Sequence, residues 1–347
     1  MDKKIYSPKQ LIDLFPISPL VTKNIIDSRK TIQNILSGKD SRIAVVVGPC
    51  SVHDTQATLE YASRLQKLSN ELSDVCYIVM RAHIEKPRTS LGWKGFLYDP
   101  DLDGSNNIAK GLTLSRQLLI EICQKKLPIA MEFLEPLSHL YFQDLISWGF
   151  IGARTCSSSA HRQLASMLDM PIGFKNSTDG NIDNAINGIL SARSNHKFLS
   201  IDENGQLFVA SSCGNLDTHL VLRGSNSETN YDSLSIDGAI EKLNKNKIMT
   251  KLLVDCSHGN SQKIHTNQIN VFNNVINQIS DGNNMICGVM LESFLEEGSQ
   301  CLDKGLELLR SDISITDPCL NWTSTRDLLL SLKELHQSVN ELSFSSS

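Results

Sequence analysis

A chain of 347 residues with 40% apolar and 20% charged residues has the make-up of one large α/β domain or two small ones. Its net charge of −5 leaves no basic footprint for nucleic acid, and no apolar run is long enough to cross a bilayer. Nine scattered cysteines without a CxxC pair, and no leading secretory segment, read as reduced and mostly buried side chains of a cytoplasmic protein.

Residues 1 to 40 read as a helical extension. One helix starts at Ser7-Pro8 and stops near Pro16. A second runs from Thr22 to Leu36, with Ile25, Ile26, Ile32 and Leu36 as its apolar side and Gly38 at its end. A repeating alternation follows. Ile43 to Val47 is a β-branched run, the mark of a strand buried on both faces. Asp54 caps the next helix, whose core side includes Leu59, Ala62, Leu65 and Leu68. Tyr77 to Arg81 is the second strand. It opens into a basic loop with Lys86, Arg88 and Thr89, where Pro87 bars a helix. Ile108, Leu112, Leu119 and Ile122 then repeat at helical spacing. Ile129 to Phe133 is a third strand, with a helix from about Pro136 to Trp148. Phe150 to Thr155 is a fourth, with a helix from about Ser158 to Leu168. Pro171 to Asn176 is a fifth, with a helix at about 181 to 192.

The rhythm breaks at about 197–212, where two apolar runs flank Asn204-Gly205, the signal of an inserted β-hairpin. Strands resume at Thr218 to Arg223, Lys251 to Asp255 and Met285 to Met290. Ile264, Val271, Val275 and Ile279 mark a helix before the last of these. The count is eight strand–helix units, so the expected fold is α/β, a (β/α)₈ TIM barrel over residues 41 to 337 with a loose tail at 338 to 347. A doubly wound open sheet competes, although no GxGxxG follows the first strand.

Active sites of such barrels form at the carboxyl ends of the strands. Those positions carry Cys50, Arg81, Glu132, Arg154, Lys175, Arg223, His258 and Glu292, with Asp317 in the connection beyond. One sulfur, one imidazole and two carboxylates (Cys50, His258, Glu292 and Asp317) suit a divalent transition metal. Their spacing has no finger-like signature, so that reading depends on barrel closure bringing the first and last strands together. Arg81, Lys86, Arg154, Lys175 and Arg223 form a second group. Five cations in one cavity repel each other unless an anion joins them, which points to a small ligand with several negative charges. Arg88 and Thr89 lie further along the loop, in reach of a second phosphate.

GPCSVHD at 48 to 54, EKPRTSLGWKG at 85 to 95, IGART at 151 to 155, GFKNSTDG at 173 to 180, LRG at 222 to 224, DCSHGNS at 255 to 261 and SITD at 314 to 317 resemble the type I 3-deoxy-D-arabino-heptulosonate 7-phosphate (DAHP) synthases. The resemblance runs from about Ser7 to about Leu335. It implies condensation of phosphoenolpyruvate with erythrose 4-phosphate and water, with release of phosphate, as the entry to aromatic amino acid synthesis. It also implies a divalent metal, most often manganese, on Cys50, His258, Glu292 and Asp317. Phosphoenolpyruvate contacts fall on Arg81, Lys86, Arg154, Lys175 and Arg223, and erythrose 4-phosphate contacts on Arg88 and Thr89. Lys86 is the candidate general acid, its pKa expected to be lowered by neighbouring arginines. Glu132 either positions the water or partners a cation. Cys256 is expected to be packing. A homodimer or homotetramer is implied. Asp169 stands where the family is expected to use a serine at its aromatic inhibitor site, so altered feedback is expected. The nearest rival is a 3-deoxy-D-manno-octulosonate 8-phosphate synthase, against which the KPRT stretch and the amino-terminal extension argue.

Overall fold

The run Ile43–Val47 offers apolar surface on both sides, and the computed structural model buries it as the first strand of a closed barrel. The structure describes residues 5–302 and 305–345, with side chains described as far as residue 333.

Two helices lead in, α1 (Pro8–Leu14) and α2 (Pro19–Leu36). Ser7 and Gln10 close the start of α1 with a reciprocal capping box. α2 begins earlier than expected because Ser18 caps it and Pro19 takes the first turn, where a missing N–H costs nothing. Its residues Ile32, Ile35 and Leu36 plug the barrel floor against Ala44, Val46, Val79, Trp148 and Met290. Ile26, expected on the apolar side, is 57% exposed, since one residue turns about 100° from Ile25.

The chain then alternates: β1 (Ile43–Gly48), α3 (Thr55–Glu71), β2 (Cys76–Arg81), α4 (Ile108–Gln124), β3 (Ile129–Glu132), α5 (His139–Phe142), β4 (Trp148–Ile151), α6 (Ser159–Met167), β5 (Ile172–Lys175) and α7 (Ile182–Ala192). β6 (His196–Ile201) and β7 (Leu207–Ser212) pair only with each other, as an antiparallel hairpin outside the barrel. β8 (Thr218–Leu222), α8 (Ser233–Lys245), β9 (Leu252–Asp255), α9 (Asn267–Ser280), β10 (Ile286–Glu292) and α10 (Trp322–Ser345) complete the order. The eight barrel strands run parallel and close in the sequence β1-β10-β9-β8-β5-β4-β3-β2.

Three local expectations differ from the structure. The helix expected over Pro136–Trp148 shrinks to the single turn α5, because side chains claim the carbonyls a longer helix would use. Arg29 donates to the Gln143 carbonyl, and Arg116 to that of Tyr141 at 2.8 Å. β4 starts at Trp148 and ends at Ile151, so Arg154 stands on the turn beyond the strand. Finally, α10 continues to Ser345 where a loose tail was expected; no proline or glycine interrupts the chain after Trp322. Residues 346–347 lie outside the described residues.

Candidate active site

Closure decides the site. Gly48 of β1 lies in register with Glu292 of β10, so Cys50 leaves the sheet beside the Glu292 carboxylate. The connection after β10 returns Asp317 to the same rim, with Oδ2 3.5 Å from Cys50 Sγ. Cys50, Glu292 and Asp317 each present a donor atom within 4.8 Å of the others. His258 reaches the group from the loop after β9, with Nε2 3.6 Å from Glu292 Oε1. Its Nδ1 is 2.9 Å from Asp255 Oδ2, a contact that orients the ring and leaves Nε2 for ligation. His258 also holds a φ of 56°, a conformation that non-glycine residues keep mainly where the surroundings demand it.

The donor set fits a divalent cation. It combines thiol, imidazole and two carboxylates, and a stand-in positive charge is already drawn to it. The Lys86 ammonium lies 2.8 Å from Cys50 Sγ and 2.9 Å from Asp317 Oδ2. Burial pushes the Cys50 thiol up to about 11, so ligation there displaces a proton. Burial works to raise Asp317 too, but Lys86 holds it well below the usual carboxylate range. The Lys86 expectation is reversed. Burial does lower its pKa, but Cys50, Asp317 and Glu292 outweigh it and raise the ammonium above its ordinary value. Its nearest charges are anions, not arginines.

Beside this group lies a cavity of about 270 Å³, lined among others by Arg81, Lys86, Arg154, Lys175 and Arg223, with Arg88 and Thr89 from the basic loop. The cations differ in how they are held. Arg81, 2% exposed, donates through Nη2 to Glu292 Oε1 at 2.8 Å and to the Cys50 carbonyl at 3.1 Å. It therefore braces a candidate metal ligand as well as facing the cavity. Lys175 Nζ is 2.7 Å from Asp255 Oδ2. Burial alone would raise Asp255, yet His258 and Lys175 hold it well below the carboxylate range. This one buried carboxylate thus ties the cation group to the metal-type group. Arg154 Nε donates to Thr89 Oγ1 at 3.0 Å, and Arg88 Nε to the Trp93 carbonyl at 2.7 Å. Burial lowers Arg223.

Glu132 also lines the cavity. A Cβ on Gly152 would sit 2.0 Å from its Oε1, so bare backbone there makes room for the carboxylate. Cys256 is fully buried in the core. Sequence reasoning passed over His83, which lines the cavity as well. The signal was available: His83 follows Arg81 by two, the spacing that returns to the same face of an extended chain.

The DAHP synthetase I family model matches residues 21–330. A Tyr-sensitive phospho-2-dehydro-3-deoxyheptonate aldolase of Escherichia coli (strain K12) is 43% identical over 339 residues, 98% of this chain and 94% of its own. A Trp-sensitive one of Enterobacter agglomerans is 46% identical over 330 residues, 95% of this chain and 94% of its own. The solved structure of phospho-2-dehydro-3-deoxyheptonate aldolase from Francisella tularensis SCHU S4 superposes with a TM-score of 0.94 at 44% identity, covering 97% of this chain and 98% of that one.

Proposed function

The chain belongs to the DAHP synthetase I family, and from that premise we propose a residue-level account of its reaction, phosphoenolpyruvate plus erythrose 4-phosphate and water giving 3-deoxy-D-arabino-heptulosonate 7-phosphate and phosphate. The observation that carries the account is a cavity walled by seven cations, Arg81, Lys86, Arg88, Arg154, Lys175, Arg223 and Lys263, next to a thiol–imidazole–carboxylate group. Such walls favour a ligand with several negative charges, and phosphoenolpyruvate carries both a phosphate and a carboxylate.

Arg154, Lys175 and Arg223 pair with those anionic groups, and Arg81 steadies Glu292 while facing the same ligand. Arg88 and Thr89 take the phosphate of erythrose 4-phosphate. Cys50, His258, Glu292 and Asp317 hold a divalent cation, manganese first among the candidates. When bound, that cation supplies Lewis acidity toward the aldehyde oxygen. Carbon 3 of phosphoenolpyruvate bonds to the aldehyde carbon. Lys86, whose Nζ stands 2.9 Å from Asp317 Oδ2, gives the proton that turns the aldehyde oxygen into a hydroxyl. Water adds at carbon 2, with Glu132 nearby, and phosphate leaves.

The enzyme works in the cytoplasm in this reading. Seven of the nine cysteines are buried, as small apolar side chains of a protein kept in a reducing compartment. No helix among the described residues is long and apolar enough to cross a membrane. Self-association uses the β6–β7 hairpin, whose outer face is apolar and exposed. Feedback by aromatic amino acids is altered, because the exposed Asp169 adds a negative charge that repels an inhibitor's carboxylate.

The test is phosphate release by chelated protein given both substrates, with and without added manganese, and with arabinose 5-phosphate in place of erythrose 4-phosphate. Manganese-dependent release with erythrose 4-phosphate alone is expected. Release that needs arabinose 5-phosphate, or none with either sugar, overturns the reading.

A further inference from the structure

His83 is 2% exposed and lines the cavity, and neither of its ring nitrogens makes a hydrogen bond. Nδ1 stands 3.9 Å from Glu132 Oε2, and Nε2 is buried without a partner. Among the described residues, no other cavity-lining side chain carries such a buried, unpartnered polar atom. Leaving a buried imidazole unspent is costly unless something else satisfies it. Its backbone is fixed. The Ala82 N–H continues the β2–β3 ladder to the Ala130 carbonyl at 2.9 Å, and the Val52 N–H donates to the His83 carbonyl at 2.8 Å.

The surroundings settle what the ring can offer. Burial, then Arg81, Lys175 and Lys86, hold its pKa well below the ordinary histidine value. His83 is therefore a neutral imidazole with one nitrogen free to accept. The cations around it have only hydrogens to give. Asp317 and His258 belong to the metal-type group. Of the carboxylates and imidazoles that line the cavity, Glu132 and His83 are the two left as acceptors, and the gap between them is one that a shared water bridges better than a direct bond.

We propose that His83 and Glu132 together hold the water that adds to carbon 2 of phosphoenolpyruvate. Each accepts one of its hydrogens, so the oxygen lone pair faces the carbon. As carbon 3 uses the enol π pair to bond to the aldehyde carbon, carbon 2 becomes electron-poor. The water lone pair forms the new C2–O bond, and the proton it sheds goes to Glu132. Phosphate then leaves with its C2–O bonding pair, and the remaining hydroxyl gives its proton to the departing phosphate as the carbonyl forms. His83 thus touches the reacting water and is a catalytic residue. This inference rests on the proposed reaction.

The manganese-loaded enzyme is compared with His83→Phe and His83→Gln for kcat, for both KM values and for the Kd of phosphoenolpyruvate by calorimetry. His83→Phe should lose about 100-fold in kcat with phosphoenolpyruvate affinity within about threefold of the parent. His83→Gln, whose carbonyl still accepts, should regain at least about tenfold of that loss. A Phe variant with unchanged kcat overturns the proposal. So does equal loss in both variants, or loss of kcat in step with loss of phosphoenolpyruvate binding. Should the Phe variant not fold, the parent enzyme crystallised with phosphoenolpyruvate decides. A water within about 3.2 Å of both His83 and Glu132 supports the proposal, and direct contact of His83 with the ligand, or no such water, overturns it. A parent enzyme that releases no phosphate at all sinks the reaction instead, before any variant is compared.

Discussion

Two residues at the rim make opposite demands on protons. Cys50 needs to lose one to serve a metal, and burial holds its thiol near 11. A metal held there would be what deprotonates it at neutral pH. Cys50→Ala removes the soft donor without opening the fold, because alanine fits the same fully buried place. Manganese affinity, read by calorimetry, should fall by about 10–100-fold or more, with the thermal midpoint of the metal-free protein nearly unchanged. Full activity in the variant after exhaustive chelation sinks the metal assignment. Glu85, at the root of the basic loop, keeps its proton. It accepts from Ser138 Oγ at 3.0 Å and from the Glu135 N–H at 3.3 Å, and burial pushes its carboxyl from 4.5 to about 8. Between those two values the folded state binds a proton that the unfolded state has lost. Its contribution to stability is complete below pH 4.5 and is lost as pH rises through 8. Glu85→Gln, which mimics the protonated acid, should flatten that part of the profile and melt above the parent once pH exceeds 8. Parallel profiles for the two proteins refute the assignment.

At the scale of elements, the seam between β1 and β10 is what joins the two halves of the candidate metal site. Ala44 pairs with Gly288 at one end of that seam and Gly48 with Glu292 at the other. A Cβ on Gly288 would lie 1.9 Å from the Ala44 carbonyl oxygen, so only glycine lets the strands approach this closely. Gly288→Ala should cost about 1–3 kcal/mol of stability by forcing the seam apart. It should weaken manganese binding as well, although no ligand has changed. Urea unfolding and a manganese titration check both, and a variant matching the parent in each removes the seam from the account. The basic loop shows the same dependence on elements. The Lys86 N–H is bonded to the Lys94 carbonyl at 2.9 Å, and a Cβ on Gly95 would meet the Ile84 carbonyl oxygen at 2.5 Å. The loop thus folds back on its own root and turns Lys86 inward, where Arg88 and Thr89 remain exposed.

At the scale of the whole molecule, the hairpin presents a cluster of uncovered apolar side chains. Leu199 pairs with Val209 and Ile201 with Leu207, which puts all four on one face. Leu199, Leu207 and Val209 are 80%, 81% and 62% exposed. An apolar cross-strand cluster facing water marks a contact surface. Replacing Leu199 and Val209 together by aspartate should shift the protein toward the monomer, as measured by sedimentation, while the barrel keeps its thermal midpoint to within a few degrees. An unchanged assembly rules out this face.

The strand ends were readable along the chain because each buried apolar run stops at a charged or metal-binding side chain, a local pattern that needs no partner. So were the eightfold alternation and the Asn204-Gly205 hairpin, since burial period and turn chemistry act over a few residues. Arg154, expected at the end of the fourth strand, rides instead on a turn beyond β4, which ends at Ile151. What the linear pattern could not carry was pairing across the rim: Arg81 with Glu292, Lys175 with Asp255, Lys86 with Cys50 and Asp317. Those contacts reversed the expected direction of the Lys86 pKa and left His83 unpartnered. Charge type is a property of one residue, but pKa and ligation depend on distances between residues far apart in the chain, such as Lys86 and Asp317, 231 positions apart and 2.9 Å from each other. Only closure of the barrel sets those distances.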